Sequence, residues 1–156
     1  MSVDSVKQYL KQWNKEKDVL EFSVSSATVA LAAEALQVQP ARIAKTLSFF
    51  SGDTALMVVA AGDARVDNRK FKEQFGVKAK MLTAEQVPLL TGHPVGGVCP
   101  FDTAVGARIY LDVSLKRFDT VYPACGSANS AVEMTCAELE ACAQGIGWVD
   151  VCKDWE

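Results

Sequence analysis

The sequence predicts a single α+β domain in which a curved, mixed, barrel-like β-sheet is surrounded by helices. Its 156 residues, 49% hydrophobic and 22% charged, can close one core and have the composition of a globular protein. Helical and strand periodicities mix irregularly, without the repeating βαβ order of a doubly wound sheet. Because the sequence contains no internal repeat, low-complexity tract or linker, we expect residues 1–156 to form one domain.

The predicted helices are recognised by apolar stripes and by capping residues. An apolar stripe at helical spacing runs through 3–16, at Val6, Tyr9, Leu10 and Trp13. A second helix begins at Ser25 or Ser26 and runs through Leu36. Three further helices are predicted from their caps, Asp67 with Gly76, Thr83 with Gln86, and Thr135 with Glu138. Pro88 is expected to break the second of these three early.

Short strands are predicted where apolar residues alternate or run continuously between turn residues. They cover 19–24, 45–50, 55–62, 78–82, 107–112, 120–125, 130–135 and 147–152. The turn Ser51-Gly52-Asp53 joins two of them as a hairpin, and a short turn or helix is expected from Asp112 to Phe118.

Composition and charge exclude several classes of protein. No apolar run approaches the roughly 18 residues of a membrane span, and the N-terminal segment lacks a signal peptide's apolar centre, so we expect a cytoplasmic protein without membrane contact. A net charge of −3 argues against binding to bulk nucleic acid, where phosphate neutralisation dominates. A local cluster of cations lies in the window 65–80, and a solvated helix surface is its simplest interpretation.

The segment 91–101, TGHPVGGVCPF, combines the only histidine with two prolines, a Gly-Gly pair and a cysteine. A zinc site needs three or four ligands, and His93 and Cys99 supply two. The pattern is neither GxxxxGK[ST] nor GxGxxG, so it does not indicate a phosphate cradle. Gly96 and Gly97 could instead present bare main-chain amides to a developing oxyanion. Taken alone, the segment favours a structural Gly-Gly turn.

Two other positions stand out as candidates for chemistry. Lys45 opens an apolar strand, where a partly desolvated ammonium group would bind a carbonyl or phosphate strongly, although a lysine that snorkels at a strand edge is common. Ser127, in the polar loop CGSAN, could bind an amine or hydroxyl, or lie in a plain turn. The five cysteines are scattered without a CxxC pair and fit reduced, packed thiols.

Each of these motifs is weak alone, but several motifs in a fixed order along the chain are specific enough to indicate a protein family. They are KTL at 45–47, VVAAGDARVDNRKFKEQFG at 58–76, TGHPVGGVCPF at 91–101, YLDVSLKRFDTVYPACGSAN at 110–129 and VEMTCAEL at 132–139. In this order the chain resembles the YbaK/ProX family, the free-standing relatives of the editing domain of bacterial prolyl-tRNA synthetases. The resemblance spans about 25–151 and implies the barrel-like fold of that editing domain.

The resemblance implies a trans-editing enzyme that hydrolyses the ester between a wrong amino acid and the terminal adenosine of tRNA, typically tRNA for proline. Lys45 would engage the terminal nucleotide or the ester, and Gly96 and Gly97 would present amides to the scissile carbonyl. No metal or organic cofactor is implied. Candidate substrate-binding residues are Thr46, His93, Pro94, Cys99, Asp112, Gly126 and Ser127.

If the substrate is a tRNA, the cluster of cations at 65–80, called here the basic window, would have phosphates to bind. We expect Arg65, Arg69, Lys70 and Lys72 to meet the acceptor stem, and docking on prolyl-tRNA synthetase could supplement weak affinity. Some alanine-removing members have Asn after the lysine and a histidine in the loop that matches 126–131, whereas this chain has Thr46 and no histidine there. Thr46 resembles the cysteine-removing branch, but the loops 92–101 and 123–131 do not fully match that branch. A small pocket discriminates poorly by one methyl group, so cross-reactivity among Ala, Cys and Ser is expected.

Two alternatives stay open from the sequence. The first is a non-catalytic module of the same fold that binds an aminoacyl-adenosine-like ligand or a protein partner. The second is a thiol-dependent or metal protein that uses Cys99, His93 and Cys125.

Overall fold

The computed structural model describes residues 3–155, and these residues form five α-helices and nine strands. The α-helices are α1 (Val3–Leu10), α2 (Val29–Leu36), α3 (Asn68–Phe75), α4 (Gln86–Thr91) and α5 (Cys136–Ala143). The strands are β1 (Val19–Glu21), β2 (Ile43–Ser51), β3 (Thr54–Ala61), β4 (Arg65–Val66), β5 (Arg108–Asp112), β6 (Tyr122–Pro123), β7 (Ser130–Val132), β8 (Gly147–Val149) and β9 (Cys152–Lys153). Short 3-10 turns lie at Lys11–Trp13, Glu16–Asp18, Pro40–Arg42 and Val113–Arg117.

The main sheet has five strands in the order β6-β2-β3-β5-β8 and curls into a half-barrel. Only the β2–β3 pair is antiparallel, and the other three pairs are parallel. The predicted α+β class with a curved, mixed sheet is therefore confirmed. Two smaller antiparallel pairs, β1–β7 and β4–β9, complete the strand pairing of residues 3–155.

The hairpin of β2 and β3 forms the centre of the fold. The predicted hairpin is present, and its register runs from Ala44↔Ala61 to Ser51↔Thr54, so Ser51 ends the strand and Gly52 and Asp53 alone form the turn. Gly52 turns the chain with a φ of +64°, a conformation that glycine adopts without steric cost. Every residue from 55 to 61 is buried, which explains why β3 reads as a continuous apolar run rather than an alternating one.

Helices cover the sheet through the apolar stripes found in the sequence. Val6 and Leu10 of α1 are fully buried, and Tyr9 and Trp13 pack partly against the same core. Phe71 of α3 lies 4.7 Å from the Phe49 ring, measured between centroids, and joins this helix to β2. Within residues 3–155, no helix combines the length and apolar character that spanning a bilayer requires.

The caps predicted for three helices are present, and two local predictions are wrong. Asp67 accepts hydrogen bonds from the first turn of α3, and Thr135 forms a reciprocal capping box in α5. The N-cap of α2 is Thr28, not Ser25 or Ser26, because the main-chain amide of Ser26 is bonded instead to the carbonyl of Ala128. Pro88 does not break α4, because it lies in the first turn, where a helix needs no donor from its nitrogen.

Several predicted strands have other bounds in the structure. The strands predicted at 19–24, 120–125 and 130–135 are shortened to β1, β6 and β7, and β2 begins two residues before Lys45, at Ile43. Two more are reduced or divided. The segment 78–82 makes one isolated bridge, between Phe49 and Met81, with flanking hydrogen bonds to β2. The segment 147–152 splits into β8 and the start of β9, because the chain bends at Asp150 and moves from one sheet to another.

Candidate active site

A cavity of about 370 Å³ opens where β2 leaves its neighbour β6. Its floor is the stretch 43–47 of β2, and its walls come from the start of α2, the segment 95–98, and β6 with β7. Apolar side chains dominate the lining, and five of them are alanines, namely Ala27, Ala32, Ala44, Ala124 and Ala131. Val95 and Met81 stand at its mouth, 62% and 54% exposed. The cavity therefore suits a small ligand group of largely apolar character.

Lys45 lies in the floor of this cavity, in agreement with its selection from the sequence. Its Nζ atom donates to the carbonyl oxygens of Gly62, at 3.3 Å, and Ala64. Burial lowers the pKa of this lysine from its usual 10.5. The two carbonyls hold the ammonium group in one orientation, and its position in a partly desolvated place strengthens its attraction for a ligand oxygen.

Gly62 was missed as a functional position because sequence alone gives no reason for it. A Cβ atom on Gly62 would lie 2.0 Å from the carbonyl oxygen of Pro40. The absence of a side chain lets the 62–64 loop pack against the turn at Pro40–Arg42, directly before β2. Gly62 therefore brings its own carbonyl within reach of Lys45.

The edge of β2 is open at Thr46. β6 pairs with Ile43 and Ala44 only, and the 80–82 segment joins the same edge from Ser48 onward. By the two-residue period of a strand, the main-chain N–H and C=O of Thr46 face the gap between them. The Thr46 hydroxyl is also buried and has no hydrogen-bond partner within residues 3–155. Thr46 thus offers both main-chain and side-chain polar groups to a ligand in the cavity.

The segment 91–101 contains a tight turn that brings Gly96 to the cavity. The amide of Gly97 donates to the carbonyl of Pro94 at 3.0 Å, and Gly96 has a φ of +88°, as the third residue of a type II turn requires. Gly96 lines the cavity, whereas Gly97 is buried behind it. Gly97 has a packing role, since a Cβ there would lie 2.8 Å from the main chain of Ser127.

His93 and Cys99 hold the base of this segment together instead of lining the cavity. His93 is 1% exposed, and its Nε2 donates to the carbonyl of Phe101 at 2.6 Å. Cys99 is fully buried, with its Sγ 3.5 Å from His93 Nε2. Burial raises the pKa of Cys99 to about 12, although main-chain hydrogen bonds at Phe101 and Gly126 oppose the shift. At neutral pH this thiol is not a nucleophile.

The loop that follows β6 supports the opposite wall. The Ser127 hydroxyl donates to Asn129 Oδ1 at 2.9 Å, and it lies 2.7 Å from the Ser130 hydroxyl, from which it can then accept. Ser130 lines the cavity although it is 1% exposed, and sequence reasoning missed it, because only its position at the start of a predicted strand is visible without the fold. Gly126 is buried with a φ of +86°, so its role is conformational.

Asp112 lies away from the cavity, which changes the role assigned to it from the sequence. It is fully buried, and its two carboxylate oxygens accept the amides of Ser114, at 3.0 Å, and Val151, at 2.9 Å. The carboxylate therefore ends β5 and ties it to the segment between β8 and β9, and both of its oxygens are already engaged.

The basic window divides into paired and unpaired cations. Arg69 Nε lies 3.3 Å from Glu73 on the exposed side of α3, and Lys70 Nζ lies 3.2 Å from Asp150. Within the described residues 3–155, no carboxylate partner is found for Arg65, Lys72, Lys78 and Lys80. Charge that is not neutralised inside the protein is available to an anionic ligand.

Within residues 3–155, histidine, cysteine and acidic side chains form no group of three that could hold a metal ion. The cysteines in that range are free thiols, and four of them are buried, namely Cys99, Cys125, Cys142 and Cys152. The chemistry available at the cavity is therefore that of Lys45, main-chain polar groups and the hydroxyl-bearing residues of its lining, namely Ser26, Thr28, Thr46, Tyr122 and Ser130.

Comparison with known proteins shows which protein family the chain belongs to. Residues 24–142 match the model of the aminoacyl-tRNA editing domain. The Bacillus subtilis protein YwhH, described as uncharacterized, is 55% identical over the whole length of both chains. A crystal structure of a protein provisionally named a trans-editing enzyme for prolyl tRNA synthetase has a TM-score of 0.86 and 27% identity, covering 97% of this chain and 96% of that one. The hypothetical protein APE2540 has a TM-score of 0.80 and 29% identity, covering 93% of this chain and 99% of its own. The chain belongs to the aminoacyl-tRNA editing domain family.

Proposed function

We propose that this protein is a trans-acting aminoacyl-tRNA deacylase that removes a small amino acid, such as alanine or cysteine, from mischarged tRNA for proline. The observation that carries the proposal is the small apolar cavity, which has Lys45 in its floor and Gly96 in its wall. Family membership supports the reaction class, and the name of one structural relative supports the prolyl system.

The lining of the cavity supports a small amino acid. Alanine side chains on several walls leave room for a methyl, hydroxymethyl or thiomethyl group beside the ester. The buried Thr46 hydroxyl has no hydrogen-bond partner among residues 3–155, and it would bind the substrate's amino group or a polar side chain. One methylene in such a pocket changes binding by roughly 1–3 kcal/mol, so we expect more than one small residue to be accepted.

The chemistry needs no protein nucleophile. An aminoacyl ester is already activated, and water, alone or assisted by a ribose hydroxyl, can attack its carbonyl carbon; the ester C–O bond then breaks, which releases the free amino acid and leaves the ribose oxygen of the tRNA as a hydroxyl. As negative charge grows on the carbonyl oxygen, the main-chain amide of Gly96, which lines the cavity, would stabilise it, and loss of one such donor costs about 2.7–4 kcal/mol. Because the Gly97 amide is bonded to Pro94, we assign Gly97 the task of keeping this turn rigid.

Lys45 would fix the ester for attack. Its ammonium group is held by two carbonyls and can bind a ribose or phosphate oxygen of the terminal nucleotide with its remaining hydrogen. Unpaired cations of the basic window would contact the tRNA backbone, in the cytoplasm where tRNA is charged. Docking on prolyl-tRNA synthetase remains part of the proposal.

The test is a deacylation panel with tRNA for proline charged with Ala, Cys, Ser, Thr or Pro. We expect the wild type to hydrolyse one or two non-cognate esters and to spare Pro. Lys45→Ala should lower kcat/KM by about 100-fold, because the ester is no longer held in line. Lys11→Ala, an exposed lysine outside the cavity, is the matched control.

The alternative is a non-catalytic module of the same fold that binds an aminoacyl-adenosine-like ligand or a protein. A folded wild type that hydrolyses none of the five esters would favour it. Hydrolysis that persists unchanged in Lys45→Ala would contradict the role assigned to the lysine.

A further inference from the structure

A second depression lies beside the candidate active site, and nothing above assigns it a ligand. It is a groove of about 320 Å³ bounded by β2, β4, the start of α3 and the 79–81 segment. It shares Lys45, Leu47 and Met81 with the cavity, so the two spaces meet across β2. A ligand could therefore occupy both at once, with its middle portion over Lys45.

The groove has an apolar floor and a polar mouth. Its floor is formed by Leu47, Phe49, Val66, Ala79 and Met81. The exposed amide side chain of Asn68, at the first residue of α3, stands at the mouth. An apolar groove with an amide at its edge suits a nucleobase, whose faces are apolar and whose edge carries hydrogen-bonding groups.

The charge around the groove complements a nucleotide. Arg65 lines it, and Lys78 and Lys80 flank Ala79 in the chain. No carboxylate is paired with these three cations within residues 3–155. The Nζ atom of Lys80 lies 5.5 Å from the centre of the Phe50 ring, and Phe50 is on the opposite face of β2 from Phe49. The cations that line the groove itself are therefore Arg65 and Lys45.

We propose that this groove binds the terminal adenine of the aminoacylated tRNA, with the 5′-phosphate of that nucleotide at Arg65. The inference rests on the proposed function. The amino acid and the base are attached to different carbons of one ribose ring and diverge from it. If the amino acid occupies the cavity, the ribose lies over Lys45 at the shared wall, and the base reaches the neighbouring groove.

The groove is tested by titrating adenosine 5′-monophosphate into isotope-labelled protein and recording amide NMR shifts. We expect saturable shifts at Val66, Asn68, Ala79 and Met81. Asn68→Ala should weaken binding roughly three- to tenfold through the loss of one hydrogen bond. Gln74→Ala removes an exposed amide from the same helix outside the groove, and it should bind as the wild type does.

A parallel measurement compares two esters of the amino acid alanine, alanyl-adenosine and alanine methyl ester. Asn68→Ala should raise KM for the first and leave hydrolysis of the second unchanged. Shifts confined to the cavity, or none in the millimolar range, would overturn the inference even if mischarged tRNA is hydrolysed. Shifts in the groove without hydrolysis of any ester would retain a nucleotide site and reject the proposed deacylase.

Discussion

The carbonyl oxygen of Gly62 lies 3.3 Å from the Nζ atom of Lys45, so the lysine proposed to bind substrate is oriented by a glycine on the neighbouring loop. This glycine can have no side chain, because a Cβ would meet the carbonyl of Pro40 at 2.0 Å. The orientation of Lys45 therefore depends on how closely the 62–64 loop approaches the turn before β2.

Gly62→Ala should destabilise the fold by about 1–3 kcal/mol and also reduce deacylation, because the loop must move away from Pro40. Urea unfolding measures the first effect and the deacylation assay the second. Gly147→Ala is the matched control, since nothing lies within 4 Å of a Cβ at that position. A Gly62→Ala variant whose urea midpoint equals that of the wild type would contradict this prediction, because it would show that the 62–64 loop can move without cost.

Gly97→Ala should impair the site more than Gly96→Ala does. A Cβ at 97 would collide with the main chain of Ser127 at 2.8 Å, whereas a Cβ at 96 would make an ordinary contact with Ala27 at 3.4 Å. The cost at Gly96 is limited to its φ of +88°, about 1–2 kcal/mol for a residue with a side chain. The kcat of each variant, measured with unfolding curves, tests this order, and equal losses would contradict it.

His93 should make stability depend on pH below about 6.5. Burial lowers its pKa from 6.5, so the unfolded chain binds a proton more readily than the folded one does. Stability is thus fully present above 6.5 and is lost as pH falls from there toward the folded pKa, with a slope of at most about 1.4 kcal/mol per pH unit. Since His93 is the only histidine, His93→Gln should flatten this part of a stability-against-pH curve.

An unchanged slope in His93→Gln would assign the acid sensitivity to carboxylates instead. Thermal unfolding across the same pH range provides the comparison, and the glutamine keeps an amide donor for the carbonyl of Phe101.

Arg117→Lys should loosen the loop that holds Lys45. Arg117 donates two hydrogen bonds to the Asp63 carboxylate, at 3.0 and 2.6 Å. Asp63 lies in the chain between Gly62 and Ala64, whose carbonyls accept hydrogen bonds from Lys45. A lysine cannot make the paired contact. Because both side chains are about a third exposed, we expect a loss of stability below about 1 kcal/mol, with a larger proportional loss in kcat. A kcat that follows stability alone would reduce Arg117 to a structural residue.

Local sequence was enough to predict the parts of the fold that local chemistry governs. The hairpin of β2 and β3, the caps at Asp67 and Thr135, and the α1 stripe through Val6 and Leu10 all depend on residues close in the chain. Lys45 was recognised for a similar reason, since a cation at the start of an apolar strand is visible without any knowledge of the fold.

Tertiary structure decided which groups face the cavity. Thr28 became the cap of α2 because the main-chain amide of Ser26 is bonded to Ala128, more than a hundred positions away. Asp112 was expected near substrate, yet the amides of Ser114 and Val151 take its carboxylate inside the core. Contacts between distant segments do not leave a periodic trace in the sequence.

The sequence by itself therefore determined the α+β class, the main hairpin, and the presence of a lysine and a bare glycine turn. Only the tertiary structure showed that Gly96 faces the cavity while Gly97 packs behind it, and that Gly62 orients Lys45. The physical reason is close packing. Which side of a turn meets a ligand, and which carbonyl meets an ammonium group, depends on how segments far apart in the chain fit against one another.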